Sequence, residues 1–134
     1  MNATVRRNNA IASYLYLVSL TLYMIPVIYL FLNPVGKIPA PLFVIIALAL
    51  FLGFLIVVGI KLRAGKMWAK VLVLLNAAGM SIFCLYGLPN LLHSSPFTIM
   101  RILSFLALNL GTLWFLFKAY RAASYGAGVA VGQA

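Results

Sequence analysis

Four long apolar runs dominate the pattern of this chain, and polar or basic residues mark the connections between them. A helix rises about 1.5 Å per residue, so about 20 apolar residues are needed to cross a hydrocarbon core about 30 Å thick. The runs at residues 12–32, 42–60, 71–88 and 98–117 approach or meet this length, and none has a charge in its central part. The pattern therefore predicts four transmembrane helices.

The three connections are short and contain residues that end helices. Residues 33–41 hold three prolines and a glycine, residues 61–70 are basic, and residues 89–97 are bounded by prolines. Short connections place consecutive helices side by side and antiparallel. We predict an all-α integral membrane protein, a single up-down antiparallel four-helix bundle, with a flexible tail over the small and Gly-rich residues 122–134.

The amino-acid composition indicates that lipid is the solvent for most of the chain. Of the 134 residues, 66% are hydrophobic and 7% are charged. Soluble domains have about 45–50% apolar and about 25% charged residues. A particle of this size cannot hide so much apolar surface from water.

The chain has no Asp or Glu, one Cys and one His. It therefore has no carboxylate general acid or base, no carboxylate ligand for Mg²⁺ or Ca²⁺ and no acidic proton carrier. Cys84 alone cannot form an internal disulfide, and His93 alone cannot build a multi-His metal site. No general base and nucleophile have a spacing typical of a catalytic pair, so we expect no enzyme activity, metal or cofactor.

The ten Lys and Arg residues predict the orientation, because such residues near the ends of spans prefer the cytoplasmic side. With four spans, both termini and the middle connection share one side. The other side carries two cations, Lys37 and Arg101. We therefore predict that both termini are cytoplasmic, on the side that carries the remaining eight cations: Arg6, Arg7, Lys61, Arg63, Lys66, Lys70, Lys118 and Arg121.

The middle connection concentrates four cations and a Trp in ten residues. Beside a leaflet, such cations bind anionic headgroups at about 1 kcal/mol each. We expect lipid headgroups or an acidic partner protein to contact this segment, and no nucleic acid, because a patch held at the membrane meets lipid phosphate first. The residues concerned are Lys61, Arg63, Lys66, Trp68 and Lys70.

This connection also resembles a family. Small bacterial four-span membrane proteins of uncharacterised function carry an Arg-x-Gly-x-x-Trp-Ala-Arg/Lys segment between their second and third spans. Arg63, Gly65, Trp68, Ala69 and Lys70 match that form here. The resemblance covers one connection and the four-span layout. It implies a bacterial inner-membrane location and supplies no activity.

Small residues four positions apart let helices approach closely in lipid. We expect such pairs to pack the bundle, and the alternative is that one of these faces docks against another protein. The pairs are Ala49 with Gly53, Ala77 with Ser81, and Ala107 with Gly111.

Polar groups inside the spans need partners. Asn76, Asn109 and Thr112 are expected to point inward and to form interhelical hydrogen bonds worth about 1 kcal/mol or less. The alternative is that they form part of a polar path or a ligand site. We expect Arg101 to snorkel to the interface. Otherwise it needs a lipid phosphate or a carboxylate from a partner, because the chain supplies none except its own terminus.

Three classes of function remain open. The first is a non-catalytic accessory or structural subunit of a larger membrane complex, because each of the ten cations must find its counter-charge outside the chain. The second is a small channel or transporter made by homo-oligomerisation, since a single bundle of four spans is too narrow to enclose a wide pore. The third is a membrane immunity or defence protein that binds a toxin in the bilayer.

Overall fold

Four long helices make up nearly all of the computed structural model, which describes residues 2–32, 42–91 and 93–132. They are α1 at Ala3–Leu32, α2 at Leu42–Arg63, α3 at Met67–Leu91 and α4 at Pro96–Gly132. Each is long and apolar enough to cross a membrane. The prediction of four spans in an all-helical membrane protein is confirmed.

Each helix packs against the next one along the chain, and α4 returns to pack against α1. The most extensive of these contacts is between α1 and α4. The polar contacts give the direction of the helices. Ser13, early in α1, bonds to Gly59 near the end of α2, and Ser19 bonds to Asn109 of α4. The four helices therefore form a ring in which neighbours run antiparallel.

The first helix begins nine residues before the predicted start of its span. Residues 3–11 contain two Arg and two Asn, so their mean hydropathy is too low to indicate a membrane span. In the structure they continue the helix, with Val5, Asn8 and Asn9 buried. Asn2 caps this helix, because its Oδ1 accepts a hydrogen bond of 3.1 Å from the Thr4 backbone N–H.

The middle connection is much shorter than predicted, because α2 continues to Arg63 and α3 already begins at Met67. At the other end of α3, the helix passes through Pro89 to Leu91. A proline near the end of a helix removes one backbone bond and does not force the chain to stop there. The predicted connection 33–41 lies outside the described residues.

The fourth helix extends far beyond its predicted end. Ser95 caps its start, since its Oγ lies 3.4 Å from the Thr98 backbone N–H, and Pro96 occupies the first helical position. The helix runs to Gly132, so most of the predicted tail at 122–134 is helical. The physical reason is that adding residues to an existing helix requires no new nucleus, and this segment has no proline.

The tightest packing lies at one end of the bundle. A buried cluster there joins all four helices around Tyr16, Leu62 and Val73. The buried residues of α2 are Val58, Gly59 and Leu62, all close to its last turn. The helix α2 is thus held firmly only where it approaches the turn into α3.

The rest of the apolar surface faces outward. Only 11% of the most apolar window of α2 is buried inside the protein. Large apolar side chains such as Phe43, Leu50 and Tyr86 are more than two-thirds exposed. A lipid environment explains this exposure, since hydrocarbon solvates these side chains as well as a protein core does.

Candidate functional site

Basic side chains gather at the tightly packed end of the bundle, which we call the cationic end. It comprises the start of α1, the α2–α3 turn and the part of α4 around residues 118–121. Arg6 and Arg63 border a surface hollow of about 520 Å³ together with Ile60 and Ala64. The exposed cations of this end are Arg6, Arg7, Lys61, Arg63, Lys66, Lys118 and Arg121, and Lys70 is half-buried.

Three of these cations pack against aromatic rings. The Arg63 guanidinium lies 5.4 Å from the centre of the Tyr14 ring, which ties the end of α2 to α1. The Lys118 ammonium lies 5.3 Å from the Trp114 ring. Arg121 lies 5.9 Å from the ring of Tyr125. Contacts of this kind contribute about 0.5–1 kcal/mol each at exposed sites. They leave the positive charge in place for an external anion.

The turn between α2 and α3 is a Schellman motif centred on Gly65. The Gly65 N–H donates to the Leu62 carbonyl at 2.9 Å, and the Lys66 N–H donates to the Lys61 carbonyl at 3.1 Å. Gly65 has a φ of 78°, a left-handed conformation that a Cβ disfavours. Gly65 therefore has a structural role in this segment. It ends α2 and lies at the centre of the three-residue turn that leads into α3.

The other residues of this segment divide between packing and surface. Ala69 is fully buried in the cluster at the cationic end. Trp68 is 45% exposed at the start of α3. Lys70 stands at the edge of a groove of about 710 Å³ between α3 and α4, whose walls are mostly apolar. Lys61, Arg63 and Lys66 remain exposed, as a role at the membrane surface requires.

One hydrogen bond between buried polar side chains connects α1 to α4. The Asn109 amide nitrogen donates to the Ser19 hydroxyl at 3.0 Å and to the Phe105 carbonyl at 2.8 Å. Thr112 is fully buried and donates to the Leu108 carbonyl of its own helix. The interhelical bond expected of Asn109 is present. The Thr112 hydroxyl instead forms its hydrogen bond within α4.

Asn76 borders a small cavity at the centre of the bundle. This cavity measures about 140 Å³ and has walls from all four helices, including Ser19, Phe51 and Phe105. It lies next to the Asn109–Ser19 bond, because Ser19 belongs to both. The two intramembrane amides therefore approach the same region of the interior from different helices.

Arg101 lies beside a second cavity, of about 250 Å³, which we call the Arg101 cavity. Its walls come from α1, α3 and α4 and include Pro26, Cys84 and Gly87. Arg101 is half-buried, five residues after the start of α4. Its side chain therefore borders a space between helices, and the expectation that it snorkels to the interface stays a prediction.

The small-residue pairs differ from one another in the structure. Ala77 and Ser81 are buried within the bundle, and the Ser81 hydroxyl donates to the Ala77 carbonyl. The pair in α2 does not pack the described bundle, because Ala49 and Gly53 are exposed and a Cβ at Gly53 would meet nothing within 4 Å. The inward stripe of α2 is made instead by larger residues of intermediate burial: Val44, Leu48, Leu52 and Leu55.

The pair in α4 is divided. Ala107 is exposed, whereas Gly111 faces α1, where a Cβ would lie 3.1 Å from Leu15 Cδ1. A spacing of four puts two residues on roughly the same face, but α4 presents only the Gly111 side of that face to α1. The prediction of packing therefore does not hold for Ala107.

Two close contacts of α1 were not anticipated. The Ser13 hydroxyl donates to the Gly59 carbonyl at 2.7 Å, and a Cβ at Gly59 would lie only 2.8 Å from Leu17 Cδ2. Asn9 is fully buried near the same end. The sequence feature that could have indicated this contact is a glycine close to the end of one apolar run together with a Ser in the preceding run.

Comparison of the chain with protein-family models, with curated proteins and with solved structures gave no match in any of the three.

Proposed function

We propose that this protein is a non-catalytic subunit of a larger membrane assembly. The observation that carries the proposal is charge: ten cations and no Asp or Glu in 134 residues. Three of the cations at the cationic end rest on aromatic rings, and none of them can be neutralised by a side chain of this protein. Anionic lipid supplies part of the counter-charge, and carboxylates of a partner supply the rest.

The outer face of α2 is the surface best suited to that partner. It is the least buried of the four helices over its most apolar window. Ala49 and Gly53 lie exposed on it, so the backbone of another helix can approach closely. The same helix leads directly to Lys61 and Arg63 at the cationic end. We propose a partner with a transmembrane helix against this face and carboxylates at the level of the turn.

Crosslinking in native membranes tests this interface. A photo-reactive benzoylphenylalanine in place of Leu50, which is 70% exposed one turn from Gly53, is expected to capture a second membrane polypeptide without adding bulk at Ala49 or Gly53. The same group at position 86 serves as a control for contact with lipid, because Tyr86 is 88% exposed on α3. The products are separated by gel electrophoresis and identified by mass spectrometry.

A charge variant tests the second half of the proposal. Replacing Lys61 and Lys66 by Gln is expected to reduce the crosslinked product at position 50, because the partner loses its ion pairs. Equal products at positions 50 and 86, or none at either, contradict the proposal. Capture of a second copy of this chain at position 50 favours instead the homo-oligomeric channel or transporter.

We also propose that the cationic end faces the cytoplasm of a bacterium, with both termini on that side. Support comes from the count of eight cations toward this end against Arg101 and Lys37 elsewhere in the sequence. The resemblance of the Arg63–Lys70 segment to small bacterial four-span proteins supports the same location.

A reporter at the C-terminus tests this orientation. A green fluorescent protein fused after Ala134 is expected to be fluorescent in a bacterial host, because it remains in the cytoplasm. Alkaline phosphatase at the same position is expected to be inactive, because it needs the oxidising side of the membrane. An active phosphatase with a dark fluorescent fusion contradicts the proposal.

A further inference from the structure

We propose that the Arg101 cavity is a binding site for one anionic phospholipid, whose phosphate pairs with Arg101 and whose acyl chain enters the cavity. This site is separate from the cationic end and independent of the proposed partner. The lipid belongs to the leaflet at the opposite end of the bundle.

The position of Arg101 favours an anionic partner. It lies about 8 Å along α4 from Pro96, within the apolar span. A guanidinium at such a depth is costly unless it is paired. No side chain of this protein is a carboxylate. A phosphate in the headgroup region is therefore the nearest available partner, and Arg pairs with phosphate through two parallel hydrogen bonds.

The cavity beside Arg101 suits hydrocarbon. Its described walls are apolar apart from Arg101 and the Tyr23 hydroxyl, and they include Pro26 and Phe83. A volume of about 250 Å³ is slightly below the usual range for small-molecule pockets. It therefore accepts part of one acyl chain. A carboxylate from a partner helix would satisfy Arg101 but would leave this apolar space unfilled, and so the geometry favours a lipid.

The packing of α2 provides a way in. The described walls of the cavity belong to α1, α3 and α4, with no residue from α2. At this end of the bundle α2 contributes no buried residue, since all of its buried residues lie between Val58 and Leu62. A lipid chain can therefore enter from the bilayer without passing through a tightly packed helix interface.

Native mass spectrometry of the purified, delipidated chain provides the direct test. Dioleoyl phosphatidylglycerol is expected to form one preferred adduct, and dioleoyl phosphatidylcholine, with the same chains and no net charge, is expected to bind about tenfold more weakly. Arg101→Gln is expected to remove one tightly bound phosphatidylglycerol, while the cations of the cationic end continue to bind this lipid, and Arg101→Lys is expected to restore part of the lost binding. Arg121→Gln, at the cationic end, is the matched control and is expected to retain the adduct that depends on Arg101.

A second pair of variants tests the cavity itself. Gly87 borders the cavity, and a Cβ there would meet nothing within 4 Å, so Gly87→Leu fills the space without a backbone clash. Gly79 lies exposed on the same helix, with equally open surroundings, and Gly79→Leu is its control. Gly87→Leu is expected to weaken phosphatidylglycerol binding about tenfold, and Gly79→Leu is expected to leave it unchanged.

The unique Cys84 supplies a local readout, because it lines the cavity and is 8% exposed. Phosphatidylglycerol, but not phosphatidylcholine, is expected to slow its labelling by N-ethylmaleimide. The site is supported if phosphatidylglycerol no longer slows the labelling of Cys84 in Arg101→Gln but still slows it in Arg121→Gln. Protection of Cys84 by phosphatidylglycerol that survives Arg101→Gln or Gly87→Leu overturns it, as does protection lost in Arg121→Gln alone.

Discussion

Replacing Gly59 by Leu is expected to destabilise the bundle by about 1–3 kcal/mol or more, because α1 crosses α2 at this position. Even a Cβ there would lie 2.8 Å from Leu17 Cδ2 and 3.3 Å from Tyr16 Cδ1. The Leu17 side chain must move to admit the Cβ, and the rest of a Leu side chain pushes α1 and α2 apart, which also lengthens the 2.7 Å bond from the Ser13 hydroxyl to the Gly59 carbonyl. Gly59→Ala is expected to give a smaller loss in the same direction.

The free energy of unfolding can be measured by titrating the protein from a mild detergent into SDS and following the labelling of Cys84, which is buried in the native fold. Gly53→Leu is the matched control, since Gly53 is on the same helix with open space around it. It is expected to have no destabilising effect. Equal losses for the two variants would show that α1 and α2 do not approach each other at Gly59.

Asn109→Asp is expected to destabilise the bundle by about 2.5–3.5 kcal/mol, the cost of a carboxylate near the centre of a span. Asn109 is 2% exposed, and its amide nitrogen donates to Ser19 and to the Phe105 carbonyl. An ionised Asp of the same shape can accept a hydrogen bond from the Ser19 hydroxyl if that hydroxyl turns, but the oxygen in place of the amide nitrogen faces the Phe105 carbonyl with a negative charge. The same SDS titration measures the loss.

The control for this variant is Asn90→Asp, because Asn90 is exposed near the end of α3. It introduces the same charge where water and headgroups solvate it, and it is expected to change the free energy of unfolding little. An Asn109→Asp protein as stable as the unmodified one would mean that position 109 is solvated, which contradicts its burial between α1 and α4.

The number of helices was predictable because the relation between apolar length and membrane thickness is direct. The ends of the helices were harder to predict for a specific physical reason. Polar residues usually mark the ends of spans, yet Asn8 and Asn9 are buried inside the bundle. The turn at Gly65 was predictable in principle, because a glycine two residues after the end of a helix is the usual sign of a Schellman motif.

The faces of the helices could not be predicted, because lipid removes the contrast on which such predictions depend. In water, the apolar side of a helix must turn inward. In a bilayer both sides are apolar, so nothing in the sequence distinguished the exposed Ala49 and Gly53 from the buried Ala77 and Ser81. The same uncertainty applied to Arg101, whose environment depends on the rotation of α4 about its axis.

The helix α4 is longer than a membrane is thick. Thirty-seven helical residues extend about 55 Å, whereas the hydrocarbon layer is about 30 Å thick. Several turns at the end near Gly132 therefore project past the lipid tails as a built-in spacer. A tag attached there stands clear of the four-helix ring, so antibodies or affinity resins can reach it while the intramembrane contacts stay intact.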